Sequence, residues 1–336
     1  MKYILAFESS CDDTSVAVLD TDYKVYANLI SSQPQHLAFG GVLPELASRL
    51  HIKNIMQLCG LALMKAELTL GDIDAIAVSI NPGLIGSLIV GLSFAKSLAW
   101  ALGKPLLTVN HLLSHIFANY IDHPHLEAPF LALVVSGGHT ELVHFTTETA
   151  FDVVGKTLDD AAGETFDKAA KLMGLGFPGG PILDRLSRDG DPEFFRFPRA
   201  LPKKDDFNFS YSGVKTAIRT YLNSQSAEFI ESHKADLAAS IQAAIVEPLV
   251  EKSVRKAREL QLKNILVAGG VAANSALRNS LKERAAQYGI SVFSPSLQLC
   301  MDNAAMVAAA AIPKFKAGLF AELDVNAFST KGTKLL

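Results

Sequence analysis

Tyr3-Ile4-Leu5-Ala6-Phe7-Glu8-Ser9-Ser10-Cys11-Asp12-Asp13-Thr14-Ser15-Val16-Ala17-Val18 reads as an apolar strand, a polar turn and a second apolar strand. The same design returns at Phe130-Leu131-Ala132-Leu133-Val134-Val135-Ser136-Gly137-Gly138-His139-Thr140-Glu141-Leu142-Val143. Two apolar strands joined by a short Gly/Ser turn form a hairpin whose outward backbone N–H groups can wrap an anion. The second turn suits phosphate, because Gly137 and Gly138 lack Cβ atoms and admit close approach. The first carries Glu8, Asp12 and Asp13, which repel phosphate but can hold a cation or take a proton. One hairpin reads as a phosphate cradle and its twin as an acidic counterpart.

Working outward, the first half continues as a strand meander over 3–8, 14–19 and 25–31, then a helix from Pro44 towards Leu63. A buried strand at 74–80, a helix at 86–102, a strand at 106–109 and a helix at 111–120 follow, and Asp122-His123-Pro124-His125 has the look of a linker. The second half restarts at Phe130 and adds a strand at 151–155 and helices. Ile265-Leu266-Val267 with Gly269-Gly270-Val271 marks a strand entering a helix, and 302–312 forms the last helix, stopped by Pro313. Two lobes, each a small mixed sheet with helices, define a duplicated α/β design with a ligand between the halves. That pattern resembles the actin-like ATPase and sugar-kinase (ASKHA) superfamily. The lobes are expected at 1–128 and 129–336, with the last helix and tail returning to the first.

Composition sets limits. The chain has 336 residues, 49% hydrophobic and 19% charged, as in an ordinary soluble enzyme of about two domains. Its net charge of −3 gives no global basic field, so any RNA contact must come from a local patch or a partner subunit. Cys11, Cys59 and Cys300 form no CxxC pair, which favours a reducing cytosol. The N-terminus is expected to enter a strand directly, with no signal peptide ahead of it. Residues 83–103 are apolar over the length of a membrane span, but they contain Lys96, three serines and two interior glycines. A core helix is expected there, with no membrane contact and a cytoplasmic location.

Several residues could carry chemistry. His111 and His115 lie four apart on one helix face, so both rings could share an ion if a further ligand exists. Metalloprotease chemistry needs Glu after the first His, and Leu112 stands there. Asp302-Asn303 before the Ala304–Ala311 run is an ordinary helix cap, although a carboxylate there could also complete the histidine pair. Gly269–Asn274 is a Gly-rich strand-to-helix turn against which a nucleotide could lie. Phe177-Pro178-Gly179-Gly180-Pro181, ahead of Asp184, is a rigid turn of a kind that mostly redirects the chain. Asp159, Asp160, Glu164 and Asp167 surround Gly163, some of them as solvated helix-start acids. Between 185 and 215, Arg185, Arg188, Arg196, Arg199, Lys203, Lys204 and Lys215 alternate with Phe194, Phe195, Phe197, Phe207, Phe209 and Tyr211. Such a stretch could stack single-stranded RNA, or its rings could simply dock on the core.

Taken in order, Glu8-Ser-Ser-Cys-Asp12, Gly40-Gly-Val-Leu-Pro-Glu-Leu-Ala-Ser-Arg49, Pro82-Gly-Leu, His111-x-x-x-His115, Val135-Ser-Gly-Gly-His-Thr140, Asp159-Asp-Ala-Ala-Gly-Glu164, Phe166-Asp-Lys168, Pro178-Gly-Gly-Pro181, Phe209-Ser-Tyr-Ser-Gly213 with Lys215-Thr216, Gly269-Gly-Val with Asn274, and Asp302-Asn303 resemble one family over almost the whole chain. It is the tRNA threonylcarbamoyladenosine transferase subunit family, TsaD type, formerly called O-sialoglycoprotein endopeptidase. The resemblance implies an actin-like fold and transfer of L-threonylcarbamoyl from threonylcarbamoyl-AMP to N6 of adenosine 37 in tRNAs reading codons that start with A. It also implies metal ligation by His111, His115 and Asp302, with Fe(2+) favoured and Zn(2+) possible. Val134, Val135, Ser136, Gly137 and Gly138 would hold the adenylate phosphate. Asp167, Gly180, Asp184 and Asn274 would line the nucleoside pocket, the two acids on ribose hydroxyls. Asp12 is assigned as the group that takes the N6 proton. A paralogous partner (TsaB type) and a small ATPase (TsaE type) are expected, with the exposed face of the Pro44–Leu63 helix, beside His51 and Lys53, as the partner surface. The chain departs from most relatives at Leu113-Ser114, where Glu-Gly is usual, at Asn81 for Gly, and at Asp13 for Glu; the first removes an acid near the metal. The competing readings are a small-molecule kinase of the same superfold, a peptidase, and a non-enzymatic scaffold. Kinases of that class favour Gly-x-Thr where this chain has Cys11-Asp12-Asp13-Thr14.

Overall fold

The structure, a computed structural model, describes residues 1–39, 41–199 and 205–329; Gly40, Lys203 and Lys204 of the motifs above lie outside them. The chain forms two compact units, Met1–Leu126 with Pro295–Leu336, and Glu127–Ser294.

In the first unit β1 (Tyr3–Glu8), β2 (Asp13–Asp20) and β3 (Val25–Ser32) form the expected meander. Helix α1 (Pro44–Ala66) follows, then β4 (Ala75–Asn81), α2 (Ile85–Leu102), β5 (Leu106–Asn110) and α3 (His111–Asp122). The sheet order is β3-β2-β1-β4-β5, antiparallel through the meander and parallel from β1 to β4 and β5. A central strand covered on both faces must be apolar throughout, and Ile4 to Phe7 are all fully buried.

The second unit repeats the plan. Its strands β6 (Phe130–Val135), β7 (Thr140–Phe145) and β8 (Phe151–Lys156) form a meander, after which come α4 (Ala162–Leu172), α5 (Gly179–Leu186), α6 (Ser212–Asn223), α7 (Ala227–Ser232) and α8 (Lys234–Glu259). Next are β9 (Asn264–Ala268), α9 (Ser275–Ala286) and β10 (Ser291–Phe293), in the sheet order β8-β7-β6-β9-β10. A 3-10 turn, Gly270–Ala273, separates β9 from α9, so the strand does not feed the helix directly as its glycines suggested.

The final helix α10 (Ala304–Lys316) belongs to the first unit and packs on α3 and the sheet. Its alanine run is buried on every side, because small side chains let a helix lie close against strands. Pro313 does not stop it, contrary to the sequence expectation. A proline mid-helix costs about 3 kcal/mol, but burial from Ala304 to Ile312 outweighs the loss of one N–H. The helix instead ends at Lys316, with Ala317 as its cap, just before Gly318, whose φ of +70° is left-handed. Helix α8 likewise carries Pro248 inside it. Helix α2 has the length and apolarity of a membrane span, but it packs on β4 and α1, and Lys96 donates to the Val325 carbonyl. Only a third of its residues are buried, and Ile85, Ile89 and Trp100 are exposed, so it covers the first sheet with one face instead of lying buried as the expected core helix.

Gly269 has φ +88°, and a Cβ there would lie 2.5 Å from the Val135 carbonyl oxygen; Gly103 has φ +60° and open space around it. Alanine costs about 1–2 kcal/mol in the left-handed conformation of Gly103, whereas Gly269, with ψ 171°, lies in a region open essentially to glycine at about 1–3 kcal/mol. Overlap adds about 1–3 kcal/mol at Gly269 alone. Gly269→Ala is therefore expected to lower the urea midpoint clearly more than Gly103→Ala. Equal shifts would show that β9 can move away from β6 at no cost.

Candidate active site

The two hairpin turns diverge as their residues require. In the second unit Val135 pairs with Thr140, leaving Ser136 to His139 as the loop. Ser136 N–H donates to the His139 carbonyl at 2.9 Å, and the Ser136 hydroxyl accepts from His139 N–H at 3.1 Å. Gly137 and Gly138 are exposed, with open space where Cβ atoms would be. Gly163, at the start of α4, donates its N–H to the Ser136 carbonyl, and a Cβ there would sit 2.5 Å from that oxygen. The positive end of α4 therefore lies against the glycine turn, an arrangement favourable to an anion.

Around this turn the sequence-selected acids have defined work. Asp167 Oδ1 accepts from Gly179 N–H (2.7 Å) and Gly180 N–H (3.3 Å), tying α5 to α4, and these bonds leave Oδ2 unused. Asp184 Oδ1 accepts from Ser275 N–H and hydroxyl, and its Oδ2 faces Arg188. Asn274 caps α9 through Leu277 N–H and donates to the Gln242 side chain at 2.7 Å. Asp160 pairs with Lys215, and Glu164 with Lys168. Asp159 accepts from Tyr211 N–H, from Ser212 N–H and hydroxyl, and from the Ser210 hydroxyl.

Among its described residues the 185–215 stretch is not a stacking platform. Phe197, Phe209 and Tyr211 are buried, and Phe194, Phe195 and Phe207 are half-buried. Phe195 packs on Tyr221, the Tyr211 hydroxyl donates to the Ile245 carbonyl, and Arg199 is paired with Glu247. The rings dock on the core because a shell of one mixed sheet and its helices leaves apolar surface for them to cover.

The first unit holds the metal candidates. Asn110 ends β5 and caps α3, its side chain accepting from Leu112 and Leu113 N–H. That tight strand-to-helix turn puts His111 first on the helix and His115 one turn later, with ring centroids 4.8 Å apart. Leu112, at the position a peptidase gives to Glu, is buried. In Asp302-Asn303 it is Asn303 that caps α10, accepting from Met306 N–H at 3.0 Å, which leaves Asp302 available. Asp302 Oδ1 lies 3.1 Å from His115 Nε2 and 3.5 Å from His111 Nε2. Ligand atoms about 2.1 Å from a tetrahedral centre stand about 3.4 Å apart; both carboxylate-to-imidazole spacings are of that size, and all three ligand atoms lie within 4.8 Å of one another. Among the described residues this is the cluster that could hold a metal.

Glu8 was read only as part of the acidic turn, yet it is fully buried and sits behind His111. Its Oε2 is 3.0 Å from His111 Nδ1, and its Oε1 accepts from Ser10 N–H at 2.6 Å. Burial pushes His111 down, but Asp302 and Glu8 override it and lift the imidazole to about 9. Burial pushes Glu8 and Asp302 up, but the imidazoles hold both below the usual carboxylate range. Asp12 is half-buried in the turn. Its neighbour Asp13 is raised by burial and by Asp302, Asp12 and Glu8, against a Ser32 hydrogen bond. Burial and Asp12 push the Cys11 thiol far above its ordinary range, so it is no thiolate nucleophile. His51, expected on an exposed face, is fully buried: its Nε2 contacts the Cys11 carbonyl at 2.9 Å and its Nδ1 the Thr14 hydroxyl at 2.8 Å. Gly83 packs so tightly under this turn that a Cβ would lie 2.6 Å from the Ser10 carbonyl oxygen.

Two similar mixed sheets with this meander define the actin-like ATPase and sugar-kinase class. Solved structures agree on the fold: HypF from T. kodakarensis (TM-score 0.64, 14% identity, 95% of this chain and 47% of that one) and the ROK hexokinase of Thermus thermophilus (TM-score 0.51, 14% identity, 92% and 97%). The sequence model described as TsaD, tRNA N6-adenosine threonylcarbamoyltransferase, matches residues 24–309. Enzymes of that name from Moorella thermoacetica (49% identical over 325 residues, 96% of this chain and 95% of the relative) and Chlorobaculum tepidum (50% over 317, 91% and 90%) are close relatives. The chain belongs to the tRNA N6-adenosine threonylcarbamoyltransferase family, and it is a transferase acting on tRNA.

Separating cap from ligand gives a direct test. Asn303→Ala is expected to cost about 1 kcal/mol of stability and keep zinc binding, whereas Asp302→Asn keeps the cap and loses the ion. A metal content unchanged in Asp302→Asn would remove that carboxylate from the set.

Asp159 gives a pH test. Partial burial raises its carboxyl, but the hydrogen bonds from Ser210, Tyr211 and Ser212 win and lower it from 3.8. Its contribution is thus present above that value and lost as pH falls through the folded pKa. The stability gap between wild type and Asp159→Asn, read from urea midpoints, should narrow from pH 5 downward; a constant gap would refute the assignment.

Proposed function

We propose that this chain transfers the L-threonylcarbamoyl group from threonylcarbamoyl-AMP to N6 of adenosine 37 in tRNAs reading codons that start with A, in the cytoplasm. The observation that carries the reading is the set of three ligand atoms from His111, His115 and Asp302, in a chain about half identical to named transferases. The donor set, two imidazoles and one carboxylate, suits Fe(2+) first and Zn(2+) as rival. A bound divalent ion would supply Lewis acidity to an acyl oxygen.

The protein's own residues do the rest. Val134 and Val135, expected at the phosphate, are buried in β6, and Ser136 N–H is spent on the His139 carbonyl, so the Gly137 and Gly138 N–H groups with the start of α4 hold the adenylate phosphate. Gly180, beside Asp167, lets the nucleoside approach, while Asp167 Oδ2 and Asp184 take ribose hydroxyls and Asn274 fixes the pocket wall. The N6 amine is a weak nucleophile, so reaction depends on held alignment. N6 attacks the carbamoyl carbonyl carbon, the bond from that carbon to the phosphate oxygen breaks, AMP leaves, and Asp12 takes the N6 proton. The kinase alternative has only fold-level support, at 14% identity to a hexokinase.

Partners are a paralogous subunit (TsaB type) and a small ATPase (TsaE type). The partner surface is the exposed apolar stripe of α1, where Ile52, Met56 and Met64 stand in solvent beside Lys53, with His51 excluded by its burial.

Reconstitution with both partners, tRNA, threonine, bicarbonate and ATP, read by nucleoside mass spectrometry, tests the reading. The modified nucleoside is expected with wild type, and Asp12→Asn should slow transfer by about 10²–10⁴-fold with normal adenylate binding. An unchanged rate would eliminate Asp12, and the same assay on Asp13→Asn would then test its neighbour. Met56→Asp should abolish partner binding while metal content stays at wild-type level. Bound but unmodified tRNA would favour a scaffold, and ATP consumed with a sugar alone would favour a kinase.

A further inference from the structure

We propose that Glu8 is a positioning residue that fixes the tautomer and ring orientation of His111, so that Nε2 is the atom offered to the ion. The inference rests on the metal reading above. Glu8 is fully buried at the end of β1, and each of its oxygens faces a different donor: Oε1 takes Ser10 N–H at 2.6 Å, and Oε2 lies 3.0 Å from His111 Nδ1. A carboxylate only accepts, so the imidazole nitrogen facing it must carry the proton. With Nδ1 protonated, the lone pair of a neutral ring is on Nε2, the atom 3.5 Å from Asp302 Oδ1. The Ser10 hydroxyl, 3.1 Å from the same Nδ1, can accept as well and reinforces the choice.

The two histidines differ in this respect. His115 Nδ1 is buried with no hydrogen-bond partner among the described residues, so its ring is held by packing and by its Nε2 contact to Asp302. The departure at Leu113-Ser114 supplies none: the Ser114 hydroxyl donates to the Asn110 carbonyl. Orientation of the ligand pair by hydrogen bonding therefore falls on Glu8. Carboxylates behind a ligating histidine typically affect metal affinity by about 10–100-fold.

Two donors facing one side chain also predict which replacements fail. A glutamine at this position offers one acceptor and one donor, so either Ser10 N–H or His111 Nδ1–H meets an N–H. Aspartate is one methylene shorter and cannot reach both. No other residue type of that length supplies two acceptors.

The test is zinc and cobalt titration of the full-length metal-free protein, with folding checked by circular dichroism. Glu8→Gln and Glu8→Ala are expected to bind each ion about 10–100-fold more weakly than wild type, with the cobalt visible spectrum altered, while Asp302→Asn loses binding outright. Glu8 variants that fold and bind within twofold of wild type would overturn the proposal. Wild type that takes up no ion at His111, His115 and Asp302 would overturn the metal reading and this inference together. Should both variants fail to fold, histidine nitrogen shifts in zinc-loaded wild type decide. Ligation through Nε2 with Nδ1 protonated supports the role of Glu8, and ligation through Nδ1 overturns it.

Discussion

A chain of paired polar groups runs from Glu8 through His111 to Asp302 within the first unit. Buried ionic groups are expensive unless each is paired and hydrogen-bonded. Here each carboxylate has an imidazole within 3.5 Å, and Glu8 has a backbone N–H as well. The chain joins the first strand, the third helix and the last helix, three elements far apart in sequence. It constrains their packing in a way that apolar burial, which is non-directional, does not.

The duplicated sheets show how one plan takes on two chemistries. Both units use a meander beside parallel strands, in the same order about β1 and β6. The divergence is concentrated in the first hairpin turn of each. A four-residue glycine loop, Ser136 to His139, exposes backbone, while the longer Ser9 to Thr14 loop brings acids and a buried histidine, His51, beneath it. The strands supply rigidity, and the loops, free of ladder constraints, supply function.

Most of the architecture was legible because strand and helix periods are local signals. The meander, the α3 histidines and the glycine turn stand where their residues place them. What was not legible depended on contacts distant in sequence. Pro313 looked like a stop because its cost is local and the burial that outweighs it is not. Which of Asp302 and Asn303 caps α10 could not be read from the pair, since either side chain can do it. The aromatic run at 194–211 has the composition of a binding strip, and only its neighbours show that it is docked. Glu8 gave no sign of standing behind His111, because 103 residues separate them. His51 shares a helix with exposed Ile52 and Met56, and a turn of that helix decides which side is wet.

The placement of Asp302 on the returning C-terminal segment sets an order of events during synthesis. The ribosome completes Glu127–Ser294, a compact body in its own right, before the carboxylate that finishes the first unit exists. Until α10 emerges, the alanine face that covers the first sheet is missing, and its strands stay open on that side. A nascent chain can therefore hold both histidines yet lack a closed coordination set. Any ion capture at this set would thus be a late step, open only to translation products that reach the final helix.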